Sequence, residues 1–415
     1  MAAPTFVVQI HLNGSFRAVT ADVRAIKIDV GRQRILDTFS AGTCRIALNN
    51  EDAKYGPLSG GTYSSAQWIN SEVRVLVYLN SASQPTPLFR GLCDDIDVLY
   101  PDSASSVVMV KASDGLSRLA RTELVDDING VTGNATFAEQ VGSARFTAVL
   151  DNAQVDYPDE SSPLDRAVDT STVTMAAETV ERLQTATYLA RLAQSEDGAI
   201  YCRHGIPGGA AASAANRGNV LTYKERLAAS TPTGLTFGGS SPIAEAQRPD
   251  FTKTTTQYGS ELLYTRGIYA GSTGDDQTYD ENVIGQPAFG IRTIVRRNLL
   301  NLNNNDVKKA CTNFVALHST PVLRIASMDC KPRAMTEAQA EKVAKLGVWD
   351  GISVRFQPAG ASVVLQETVR VEGVRHDITP GDWTMRVTTS GSGASQFFIL
   401  DSAIDGLLDE NKLAP

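Results

Sequence analysis

Gly91-Leu92-Cys93-Asp94-Asp95-Ile96 and Gly373-Val374-Arg375-His376-Asp377-Ile378 align without a gap, sharing Gly, an aliphatic residue, two variable positions, Asp and Ile. Each follows one strand-like run and precedes another, ending in Val110 and Val387. Two unrelated strand corners with Gly at a bulge would leave the same short pattern. Its equal placement near the end of two β-rich stretches points the other way, to a duplicated unit. The residues that would mark the repeat are Gly91, Asp95, Ile96, Gly373, Asp377 and Ile378, with Asp95 and Asp377 as turn-capping carboxylates.

Working outward from the first copy, short apolar alternation fills the N-terminal part of the chain. Val8, Ile10 and Leu12 alternate with Gln9 and His11, and Asn13-Gly14 offers a tight turn. Ile26, Ile28 and Val30 form a second run, Cys44, Ile46 and Leu48 a third, and Val73, Val75, Val77 and Leu79 a fourth. Ile96, Val98 and Tyr100 precede Val108 and Val110. Strands this short, separated by Gly, Pro, Asn and Ser, predict a β sandwich or barrel over 1–115.

The pattern changes over 116–240, which reads as a small α+β insertion. Ser113 is a cap for a short helix through Leu116 and Leu119, and a loop-rich stretch runs to about Ser171. Val173, Ala176, Val180, Leu183 and Ala190 then predict a long helix before Ser195-Glu196-Asp197-Gly198. Ala199 to Arg203 and Val220 to Tyr223 read as a hairpin around the Gly/Ala-rich tract Gly205 to Gly218, expected to be mobile. Strand patterns return over 241–400, decorated by one helix capped by Asp306 and another opened by the capping box Thr336-Glu337-Ala338-Gln339. Residues 401–415 form a tail. The expected class is mainly β, α+β overall, with two β domains around an insertion.

Composition narrows the function classes. The 415 residues are 42% hydrophobic and 20% charged, an ordinary globular balance that excludes collagen, coiled coil and wholesale disorder. The net charge of −8 has the wrong sign for a dedicated nucleic-acid binder. No apolar run approaches the roughly 20 residues of a spanning helix, and the N-terminus does not read as a secretory signal. Five cysteines with no CxxC spacing read as buried thiols of a protein made in a cytoplasm.

Chemistry-bearing patterns are sparse. Cys202 and His204 stand two apart, which invites a thiol-nucleophile or metal reading, yet no base or polarising partner is legible beside them. His11 reads as a solvated strand residue, and His318 as a cation at a helix C-terminus. Asp94, Asp95 and Asp97 cluster, as do Asp275, Asp276, Asp280 and Glu281, without the Gly position and terminal Glu of an EF-hand loop. Phosphate loops, nucleophile elbows and zinc helices are missing. The expectation is no catalytic residue, no metal and no cofactor.

Three parts of the chain bear a resemblance. Val30-Gly31-Arg32-Gln33-Arg34 followed by Phe39-Ser40-Ala41-Gly42-Thr43-Cys44-Arg45-Ile46-Ala47-Leu48-Asn49-Asn50 resembles the opening of minor tail proteins of long-tailed bacteriophages. Phe397-Phe398-Ile399-Leu400-Asp401-Ser402, with Leu407-Leu408-Asp409-Glu410-Asn411-Lys412-Leu413, is similar to their closing segment, and the Gly198 to Tyr223 hairpin to their middle. The resemblance implies a baseplate hub or tail-tip protein of the virion, made in the host bacterial cytoplasm. It implies two tail-tube-like domains around an insertion, a homotrimer with pseudo-six-fold symmetry, and passage of phage DNA through its ring. The implied partners are a distal tail protein or the last tube ring, the tape measure protein and a central fibre or other tip proteins, with no membrane insertion by this chain. Two other readings remain: a receptor- or carbohydrate-binding tail protein using Trp68 or Trp349, and a glycoside hydrolase using a carboxylate pair.

Overall fold

A computed structural model describes residues 4–34, 36–56, 61–79, 85–100, 106–125, 133–159, 164–204, 219–225, 230–239, 243–271, 277–281, 286–360, 362, 364–391, 397–398 and 412–413. The Gly205 to Gly218 tract, the acidic residues Asp275 and Asp276, and most of the closing segment lie outside the described residues.

The alternating runs form one 13-stranded sheet. Its first-half strands are β1 (Thr5–Leu12), β2 (Ser15–Ala18), β3 (Val23–Gly31), β4 (Ser40–Asn49), β5 (Glu72–Tyr78), β6 (Thr86–Leu99) and β7 (Val107–Ser113). The second-half strands are β8 (Thr231–Phe237), β9 (Lys253–Gln257), β10 (Arg324–Cys330), β11 (Asp350–Phe356), β12 (Leu365–Ile378) and β13 (Trp383–Gly391). The first half is ordered β2-β1-β5-β6-β7-β4-β3 and the second β8-β11-β12-β13-β10-β9. Taken in chain order, the strands of the two halves fall in the same places, with β2 extra. One difference is that β1 pairs antiparallel with β5, whereas β8 runs parallel to β11.

Backbone detail repeats as well. Asp94 bulges out of the β6–β7 ladder, between Cys93 and Asp95, and Glu372 out of the β12–β13 ladder, between Val371 and Gly373. Each bulge places an acid next to arginine: Asp94 bonds Arg121 at 2.7 Å, and Glu372 bonds Arg32 at 2.8 Å. Just before β5, Asn70 has φ 63°, and just before β11, Trp349 has φ 75°. Both donate their N–H at 2.8 Å to the carbonyl preceding the bulge, on Cys93 and on Val371. Non-glycine residues rarely adopt this left-handed conformation, so its occurrence at matching points is informative.

The halves join edge to edge. β12 pairs antiparallel with β3 from Gly373–Gly31 to Ile378–Ile26. Inward-facing Ile26, Ile28, Val30, Val374 and Ile378 are buried there, and one hydrophobic cluster runs through both halves. At about 2 kcal/mol per buried aliphatic side chain, this seam is a substantial part of the fold. β8, read in sequence as part of the insertion, lies in the large sheet beside β11.

A second core holds the insertion together, around Phe146, Tyr188, Leu192, Leu221 and Tyr223. Helix α1 (Gly115–Arg121) is capped by Asp114, whose side chain accepts from Leu116 N–H, one residue beyond the expected Ser113. Helix α2 (Gly142–Leu150) lies in the stretch read as loop. The long helix expected from Val173 is shorter: α3 covers only Thr185–Ser195. Residues 174–184 instead form short strand pieces paired with Gln140–Val141, Ala135–Phe137 and Glu123–Leu124. Their β-branched Thr174, Thr179 and Val180 favour extended backbone, while Met175 and Val180 still reach the core. The expected hairpin is present, Ala199–Arg203 against Val220–Lys224. In the second half, α4 (Asn304–His318) is capped by Asn303, with Asp306 in its first turn, and α5 (Glu337–Ala344) has the full Thr336–Gln339 capping box.

Candidate assembly surface

Alternation in the central strands sends one set of side chains into the core and the other to the opposite sheet face. That face carries Lys27, Arg45, Lys111, Lys253, Arg375 and Arg386 against Asp29, Asp95, Asp97, Asp329 and Asp377. Across the seam the signs oppose: Arg375 stands beside Asp29 and Asp377 beside Lys27. Lys111 Nζ bonds Asp97 at 2.6 Å and Asp95 at 3.2 Å. Arg386 grips Asp329 through two bonds of 2.6 and 3.0 Å, and this hydrogen bonding holds the Asp329 carboxyl below its usual range. Asp29 moves the other way, raised by burial against the pull of Arg375. The face is highly charged and mixed in sign, with Lys27, Arg45 and Lys111 side by side across β3, β4 and β7.

Two strand edges bordering this face are open. β5 pairs with β6 only as far as Leu92, and backbone bonds from Asn70 and to Ser71 extend the contact to Cys93. Beyond it, β6 has β7 on one side and no strand on the other among the described residues. β9 ends the sheet at the far side, bonded only to β10 among those residues.

Gly91 lies in β6 and Gly373 in β12, strands holding the same place in the two halves. Their hexapeptides are nevertheless out of step with the backbone. Matching the two bulges equates Asp95, not Gly91, with Gly373. Neither glycine has a left-handed φ, so the conformational reason anticipated for them does not apply. The reason is close approach. A Cβ on Gly91 would meet Ser113 O at 2.3 Å, and one on Gly373 would meet Arg32 O at 2.8 Å. Gly31, facing Gly373, does have φ +97°. Ile96 and Ile378 both pack on the large core, the first partly exposed and the second buried. Asp95 and Asp377 sit on the charged face in ion pairs rather than capping turns.

Cys202 and His204 are brought to the joint between insertion and sheet. Burial and nearby Asp114 push the Cys202 thiol well up, away from thiolate chemistry. His204 is buried, stacks on Phe89 at 4.9 Å, accepts from Arg90 N–H at 3.3 Å and stands 3.4 Å from Asp114. Its surroundings tie elements together. His318 differs from the expected helix-end cation: burial drives its pKa down to about 4, and it stacks on Phe314 at 4.3 Å. His11 is half-buried beside Phe16. Trp68 and Trp349 are both in the core, leaving neither as a surface platform. No cluster of three metal-ligating side chains occurs among the described residues. A cleft of about 1480 Å³ opens between α3, α4 and the ends of β12 and β13. Its mixed Arg, Asp, Glu and aliphatic walls include Arg32, Arg296, Glu367 and Leu189. No helix of the described chain is long and apolar enough to cross a membrane.

No protein-family model and no curated protein matches this chain in sequence. Solved structures do match in shape. A 43 kDa tail protein of prophage MuSo2 from Shewanella oneidensis is similar at TM-score 0.56 and 10% identity, covering 94% of this chain and 99% of that one. A tail protein from Neisseria meningitidis gives TM-score 0.56 at 8% identity over 94% and 98% of the two chains. A prophage tail protein from Listeria monocytogenes gives 0.50 at 10% identity over 93% and 94%. The fold of this chain is that of these tail proteins.

Proposed function

We propose that this chain is a structural baseplate hub or tail-tip protein of a phage virion, acting without covalent chemistry. Three copies build a ring with pseudo-six-fold symmetry that continues the tail tube and lets DNA pass. The carrying observation is that two halves with one strand order are joined edge to edge through β3 and β12. A closed three-fold assembly of two-half chains offers six nearly equivalent positions, which removes the mismatch between a six-fold tube and a three-fold tip. The charged face lines the lumen in this reading. Its carboxylates interspersed among the cations weaken its hold on a polyanion, whereas a uniformly cationic wall would retain it. Flanking partners are a distal tail protein or the last tube ring, the tape measure protein and a central fibre or other tip proteins. The insertion and the helices of the second half stand outside the lumen.

The mass of the purified chain in solution tests this. A trimer of the 44.4 kDa chain, seen as a ring by electron microscopy, is expected. A monomer at all concentrations, or a six-copy ring, refutes the hub. Wall hydrolysis abolished by a single carboxylate substitution would refute the non-enzymatic reading. A receptor- or sugar-binding role has less support, because Trp68 and Trp349 are core residues.

A further inference from the structure

We infer that the open edge of β6 in one copy pairs antiparallel with β9 of the next, Asp97 opposite Gln257; this rests on the ring reading above and assigns its inter-chain seam. The chain already contains one example of the contact. β12 stands in the second half where β6 stands in the first, and β3 stands where β9 does. The β12–β3 seam inside the chain therefore has a counterpart, β6 against β9, whose two edges are both open. Within one chain they lie at separate places in the sheet order, so a second copy is the occupant that repeats the contact.

Register transfers residue by residue from the bulges. In the first half, the row across the sheet runs Asp95, Lys111, Arg45, Lys27. In the second it runs Gly373, Thr388, Ser327, Thr255. Lys27 thus corresponds to Thr255. Gly373 pairs with Gly31, four positions beyond Lys27, so Asp95 faces Gly259, four beyond Thr255. The rest follows: Ile96 with Tyr258, Asp97 with Gln257, Val98 with Thr256, Leu99 with Thr255 and Tyr100 with Thr254.

Exposure falls where this register needs it. Leu99, the last residue of β6, is 50% exposed, and Tyr100 and Tyr258, just past the ends of β6 and β9, are 57% and 68% exposed. Tyr258 corresponds to Val30 and Tyr100 to Ile378, which the internal seam buries to 8% and 4%. Pairing would cover the apolar rings and satisfy the free backbone groups together. Ile96 and Val98, partly buried against the core, gain the neighbour that Val374 and His376 already have.

The test combines Asp97→Cys and Gln257→Cys in one chain and treats it with a short thiol-to-thiol cross-linker. The native cysteines are all buried, which keeps background low. The expected result is covalent dimers and circular trimers, with linkage at least about tenfold weaker in Asp95→Cys/Gln257→Cys, two positions out of register on the same face. If the protein is a trimer by mass but the control links as well or better, the seam is wrong and the ring stands. A wild-type monomer removes both. As a second arm, Leu99→Arg with Tyr258→Arg should abolish the trimer while leaving monomer secondary structure intact; a surviving trimer overturns the assignment.

Discussion

Replacing Glu372 tests the internal seam, on which the argument for the inter-chain one rests. This carboxylate is about 1% exposed and accepts from Arg32 Nε at 2.8 Å, with Arg370 at 2.9 Å and the Ser390 hydroxyl also bonded to it. Burial alone would raise its pKa, but Arg370, then Arg32, pull it below the usual glutamate value. Glu372→Ala leaves two poorly solvated guanidinium groups facing each other at the bulge where the halves meet. Removing one partner of a buried ion pair costs about 3–5 kcal/mol. Because Arg32 and Arg370 are 11% and 15% exposed, the lower end of that range is expected. Denaturant unfolding reads the loss as a lower midpoint with an unchanged slope. Arg32→Met paired with Glu372→Ala should be less harmful than the sum of the singles, with a coupling of about 1–3 kcal/mol. The sign with pH is fixed: a depressed folded pKa gives stabilisation present above pH 4.5 and lost as pH falls below it. Additive single losses, or a Glu372→Ala variant as stable as wild type, would refute the claim that this cluster locks the halves together.

Burial lowers His376 and His318 to about 4 from 6.5, so both add stability above pH 6.5 that is lost as pH falls toward 4. Each shift is worth on the order of 3 kcal/mol, and His376→Gln should flatten the pH dependence of the unfolding midpoint across that window. Gly31→Val should prevent soluble expression or lower the midpoint strongly, because a Cβ there would lie 2.3 Å from Glu372 O at φ +97°. Gly14→Ala, with φ +77° but no atom within 4 Å, should lose only about 1 kcal/mol by the same assay. The five buried cysteines should remain unlabelled by a thiol reagent at pH 8 until denaturant is added, since burial raises Cys93 and Cys330 to about 12.

The strands were legible because most bury one face: Ile26, Ile28 and Val30 alternate with charges that stay on the other. What escaped was information that does not reside in side-chain period. Helix α2 has no side-chain cap at Val141, and it buries Arg145, whose two terminal nitrogens donate to the Tyr188 hydroxyl and the Ala138 and Ala176 carbonyls. A charged residue in a core position hides an amphipathic pattern. Helix period over Val173 to Leu183 misleads because short strand pieces bring the same residues inward. The hexapeptides led to corresponding strands through identities that are out of step with them. What the halves share is backbone geometry, an acid at a bulge and a left-handed residue before the preceding strand, and different residues satisfy it. The charged face was visible residue by residue, but its continuity depended on the β3–β12 pairing, which no local pattern announces.

Edge accounting gives the assembly reading a basis independent of likeness to other proteins. Open strand edges invite uncontrolled pairing, and proteins that remain monomeric blunt them. This chain protects the flank of β1 with the short strand β2, and β8 stands beside β11. It fills the lateral edge of β12 with β3, from its own first half. Besides the outer flanks of the end strands β2 and β8, the lateral edges of β6 and β9 stay open among the described residues, and these two correspond to the filled pair in sheet order. Bare Leu99, Tyr100 and Tyr258 stand at those edges. A monomer would gain nothing from repeating half of a solved contact on each side. A ring gains closure, because the contact that joins halves within a chain then also joins chains.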